Sequence, residues 1–92
     1  MGDKILYKIT VRGRVQGVGF RWNAAHEARS RGIKGFVKNL SDGSVYIEAE
    51  GEKEILDDFA EWCRSGPPFS SVDSVEINSF PSAGYSTFII SH

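Results

Sequence analysis

"GRVQGVGFRWNAA", residues Gly13 to Ala25, sets three glycines and two arginines into its first nine positions. Upstream of it, Ile5, Tyr7, Ile9 and Val11 alternate with Leu6, Lys8 and Thr10. That period of two, with one mostly polar side, predicts a half-buried strand. Downstream, Phe20, Ala24 and Ala28 recur every four residues beside Ala25. That spacing predicts a helix burying a stripe of small residues, with Gly32 free to take positive φ and stop it. A strand feeding a glycine-rich turn that feeds a helix therefore sets the frame for everything that follows.

Working outward, Ile33 to Leu40 and Val45 to Ala49 flank "SDGS" (41–44), and Asp42-Gly43 signals a hairpin between two strands. Gly51 is expected to break the second of these strands. Ile55, Leu56, Phe59, Ala60 and Cys63 then fall on one helical face, with Glu54, Asp57, Asp58 and Glu61 around the rest. "SGPP" (65–68) ends that helix, because proline cannot continue it and Gly66 can cap it. Val75 and Ile77 mark a further strand, "SFPSAG" (79–84) a loop, and Tyr85 to Ser91 a last strand. The order β-α-β-β-α-β is that of a ferredoxin-like α+β sandwich: an antiparallel sheet with two helices on one face. No linker or repeat interrupts it, so residues 1–92 are expected to form one domain.

The chain is 40% hydrophobic, enough for one modest core, and its net charge is only -1. That balance hides a split. Residues 1–40 carry a surplus of seven positive charges and residues 41–92 a surplus of eight negative ones. A basic first half allows an anion site, while an acidic second half opposes binding a long polyanion such as nucleic acid. The start "MGDKILYKIT" lacks the apolar stretch of a signal peptide, and no apolar run approaches membrane-spanning length. One cysteine, Cys63, permits no internal disulfide. A cytoplasmic monomer without membrane attachment is the expectation. With two histidines and one cysteine there is no zinc spacing, so no metal site is expected.

The glycine turn is where chemistry concentrates. N–H groups at a helix start lack intrahelical partners and converge readily on an anion. Gly17 and Gly19 permit the positive φ values that aim successive N–H groups into a nest, and Arg21 adds a planar charged fork that matches two phosphate oxygens. The turn therefore has the makings of a phosphate cradle. Neither common fingerprint is met: no Gly-Lys-Ser/Thr triplet exists, and Trp22 stands where a dinucleotide motif counted from Gly17 wants glycine. On spacing alone, an ordinary βα turn with a solvated Arg21 is the favoured reading, as is Asn39 serving only to start the turn towards Asp42-Gly43.

"RGRVQGVGFR" (12–21), the alanine-rich helix after it, "GFVKNLSDGSV" (35–45) and "GPP" (66–68) with the valines beyond closely resemble the acylphosphatases over essentially the whole chain. The resemblance implies hydrolysis of the carboxyl-phosphate bond of acyl phosphates, a small-molecule substrate, without metal or cofactor, with inorganic phosphate or sulfate as ligand. It implies that Arg21 binds the phosphate together with main-chain N–H groups of Val15, Gln16, Gly17, Val18, Gly19 and Phe20. It also implies that Asn39 orients the attacking water. Departures from the commonest pattern are Phe36, where tryptophan or tyrosine is frequent, Trp22, where smaller or differently shaped residues are common, and the C-terminal "FIISH". None of these is expected to touch Arg21 or Asn39.

The remaining candidates read as structure. His26 is expected in solvent, Cys63, Phe59 and Trp62 in the core, and Glu48 and Glu50 on a solvent-facing side of their strand. Two rival functions remain. One is a sheet that stacks RNA bases, with Lys8, Lys38 and Tyr46 lining it; "KGFVKNL" (34–40) overlaps only the beginning of the aromatic-rich signature that such sheets carry. The other is an acylphosphatase-like domain of a larger carbamoyl-transfer assembly, against which a chain running from Met1 to His92 is the expected span of a free-standing enzyme.

Overall fold

A computed structural model describes residues 3–92, so Met1 and Gly2 of the expected domain lie outside it. β1 (Lys4–Arg14) places Tyr7, Ile9 and Val11 inward, as the alternation predicts. It runs through the glycine turn into α1 (Phe20–Ser30), whose buried stripe is Phe20, Ala24, Ala25 and Ala28. The three alanines let the helix approach the sheet closely. At its end Ile33 N–H donates to Ala28 O and Gly32 N–H to Arg29 O, the paired bonds of a Schellman stop. β2 (Lys34–Asn39) and β3 (Val45–Glu52) form the expected hairpin, closed by Asp42, whose carboxylate accepts from the Ser44 N–H. α2 (Lys53–Ser65) buries Leu56, Phe59, Ala60 and Cys63. β4 (Ser71–Pro81) and β5 (Phe88–Ile90) complete the chain.

The sheet order is β4-β1-β3-β2-β5. Both helices cover one face, over Ile9, Val11, Val37, Val45 and Ile47. The first four strands pair antiparallel as expected, but β5 joins β2 in parallel, so the sheet is mixed. Chain direction explains this. β4 leaves one edge of the sheet, and residues 82–87 carry the chain across to the opposite edge, where it returns against β4 and therefore along β2.

Four local expectations are corrected. Gly51 does not break β3; it pairs with Ile5, and α2 begins directly after Glu52. Ser79, Phe80 and Pro81 extend β4 rather than forming a loop, which proline tolerates because β4 is an edge strand. Ile55 sits at the rim of the apolar face of α2 and stays exposed. Glu48 and Glu50 do not face open solvent, because the 82–87 connection crosses above them. Glu50 Oε1 accepts the Ala83 N–H at 2.6 Å and the Gly84 N–H at 2.9 Å, and its side chain is buried. Glu48 accepts the hydroxyls of Tyr46 and Tyr85, each at 2.6 Å.

Candidate active site

The turn between β1 and α1 opens into a cleft of about 260 Å³ lined by Val15, Gly17, Gly19, Phe20, Arg21, Trp22, Asn39, Ile90 and His92. Gly17 and Gly19 adopt φ of 74° and 79°, the left-handed region that L side chains avoid. Gly19 is also the N-cap of α1 and offers no side-chain cap, so the first helical N–H groups are left for another acceptor. Of the residues expected to bind phosphate, Val15, Gly17, Gly19, Phe20 and Arg21 line the cleft, whereas Gln16 and Val18 do not.

Gln16 has a different task. Its Nε2 donates to Leu40 O and to Ser44 O, both at 2.8 Å, fastening the glycine turn to the loop that follows Asn39. Val18 packs its side chain against the core. Both leave only their main-chain N–H groups for a ligand.

Arg21, in the first turn of α1, is half-buried. Its Nη1 donates to Ser91 O at 3.0 Å and lies 3.3 Å from His92 Nδ1. The C-terminal segment therefore does touch Arg21, against expectation, because β5 runs beside β2 and delivers Ser91 and His92 to the rim of the cleft. A guanidinium carries five N–H donors, so the Ser91 contact fixes its plane and leaves Nε and Nη2 for an anion. Asn39, at the end of β2, brings its amide to the same cleft and forms no side-chain hydrogen bond among the described residues. One donor fork and one unengaged amide thus face a common space from different elements. No sequence signal marks Ser91 or the Gln16 clamp, since the groups involved are backbone carbonyls.

The other candidates lie elsewhere. His26 is exposed on α1, stacked on Trp22. Cys63 is wholly buried, and burial pushes its thiol well above the usual range, leaving it a small hydrophobe rather than a nucleophile. Phe59 is buried and Trp62 half-buried against it. Lys8 lies over the Phe80 ring, and Lys38 over Phe36 and Tyr46, so the cations and rings suited to stacking bases are engaged with one another. Among the described residues no group of three or more His, Cys, Asp or Glu side chains is placed to hold a metal ion. No described helix is long and apolar enough to cross a membrane.

The sequence model of the acylphosphatase family matches residues 7–90. An acylphosphatase of Anaeromyxobacter dehalogenans is 48% identical over 84 residues, 91% of this chain and 90% of that one. The crystal structure of acylphosphatase from Bacillus subtilis superposes with a TM-score of 0.93 at 43% identity, covering 96% of this chain and 99% of that one. A crystal structure of full-length HypF in a phosphate- and nucleotide-bound form superposes equally well, at 0.93 and 30% identity, but this chain spans only 12% of it.

Proposed function

The chain belongs to the acylphosphatase family, hydrolases of the acid anhydride between a carboxyl group and phosphate, and from that premise we propose how its cleft performs the reaction. Arg21, through Nε and Nη2, and the main-chain N–H groups of 15–20 hold the phosphate. The Asn39 amide holds the attacking water and directs its lone pair at phosphorus. The water oxygen bonds to phosphorus as the bond to the acyl oxygen breaks. The carboxylate leaves with the electron pair, and the water's proton passes to a phosphate oxygen.

The observation that carries this reading is the convergence of Arg21 and Asn39 on one cleft floored by the Gly17-Gly19 turn. The chemistry asks for little more. A carboxylate is the conjugate base of an acid with pKa of about 4 to 5 and leaves without a general acid. Phosphoryl transfer of this kind needs positioning and neutralisation of charge on the equatorial oxygens. Every proposed group comes from a single chain, which supports a monomer. A lone, buried Cys63 suits the cytoplasm.

The test is phosphate release from acetyl phosphate and benzoyl phosphate by the purified protein, with and without chelator. Turnover unaffected by chelation, and competitive inhibition by inorganic phosphate or sulfate, are the expected results. A loss restored by Mg²⁺ or Zn²⁺ overturns this mechanism.

A further inference from the structure

Trp22 is 65% exposed although it lines the cleft. The other apolar side chains there are committed elsewhere: Val15 and Phe20 are each only 1% exposed, and Ile90 is half-buried against the core. A large ring left in water beside an anion site has apolar surface to give a ligand. The ring is also held in place. Trp22 and His26 lie one helical turn apart on α1, with ring centroids 5.9 Å apart and planes within 2° of parallel.

We infer that Trp22 sets the acyl specificity of this cleft, its indole packing against the acyl group of aromatic or extended apolar acyl phosphates. The inference rests on the phosphate site proposed above. In-line displacement expels the carboxylate on the side of phosphorus away from the water, so the acyl group runs along a wall other than that of Asn39. Trp22 follows directly on Arg21 and is the exposed apolar wall of the cleft. An aryl group gains indole contact there, whereas an acetyl group is too short to cover the ring. Because the indole contributes little to the core, removing it leaves the fold intact.

The experiment compares parent, Trp22→Ala and Trp22→Phe in turnover of benzoyl phosphate and acetyl phosphate. Competitive inhibition by phenylphosphonate and by inorganic phosphate is measured alongside. In Trp22→Ala, kcat/KM for benzoyl phosphate is expected to fall on the order of tenfold, mostly through KM, as for losing a moderate apolar contact. Phenylphosphonate inhibition should weaken in parallel. Acetyl phosphate turnover and phosphate inhibition should stay within about twofold of the parent, and phenylalanine should restore most of the aryl preference. Unchanged aryl selectivity in Trp22→Ala, or equal losses on both substrates, overturns the inference alone if phosphate still competes. Failure of phosphate to compete in the parent overturns the cradle reading and this inference with it.

Discussion

Gln16 Nε2 lies 2.8 Å from Leu40 O, and by a second bond of equal length to Ser44 O the same amide joins the anion turn to the loop after Asn39. The two halves of the proposed site, one holding phosphate and one holding water, are thereby fixed to each other by a side chain that lies outside the cleft.

Gln16→Ala should therefore impair catalysis more than folding. Leu40 O still accepts from Gly43 N–H and Ser44 O from Leu40 N–H, so no carbonyl is orphaned. The stability cost is expected to be about 1–2 kcal/mol. Turnover should fall roughly 10- to 100-fold as the water drifts relative to phosphorus. Thermal unfolding and steady-state kinetics check both; full activity in the variant would show the clamp to be dispensable.

Arg21 and Asn39 should separate by their effect on phosphate. Arg21→Ala should abolish turnover and phosphate binding together, and Arg21→Lys should rescue poorly, because a point charge cannot reproduce the fork. Asn39→Ala should lower turnover by a factor on the order of 10² to 10³ while phosphate binds with nearly parental affinity. Calorimetric titration with phosphate decides. Equal loss of phosphate by both variants would contradict the division of roles.

Gly17 tests the turn itself. A Cβ there meets no heavy atom within 4 Å, so only the φ of 74° opposes a side chain. Gly17→Ala should cost about 1 kcal/mol and weaken phosphate binding, and Gly17→Asn, which tolerates the left-handed region, should recover part of both. Identical phosphate affinity in all three proteins would mean that the turn's N–H groups play no part.

Glu48 makes stability depend on acid. Burial raises its carboxyl pKa, but the hydroxyls donated by Tyr46 and Tyr85 hold it below its ordinary value of 4.5. The hydrogen bond to Glu48, with burial, pushes Tyr85 up to about 12. A depressed folded-state carboxyl stabilises above the unfolded value, and the contribution disappears as pH falls from there through the folded value. Glu48→Gln should lower stability at pH 7 by about 1 kcal/mol, roughly 4–8 °C in Tm, a figure kept small by partial exposure. As pH falls below the ordinary carboxylate range, the gap between parent and variant should shrink, closing once Glu48 is protonated in the folded state. A difference in Tm that persists undiminished at pH 3 would assign the effect to packing instead.

Much of the architecture was legible along the chain, because it is written in local periods. Alternation in Ile5–Val11 set β1, the Phe20-Ala24-Ala28 stripe set α1, and the Gly32 and Gly66 stops set both helix ends. The motif Gly13–Arg21 marked the turn, and its φ values are those its glycines allow. What the sequence left open depends on where distant segments meet. The parallel pairing of β5, the burial of Glu50 beneath residues 82–87, the hold of Ser91 on Arg21 and the Gln16 clamp were decided only by the chain's passage from one sheet edge to the other and by the approach of the hairpin to the turn. The physical reason is common to all of them. Their partners are backbone N–H and C=O groups, which every residue but proline carries alike, so composition and spacing give them no mark and only tertiary proximity selects among them.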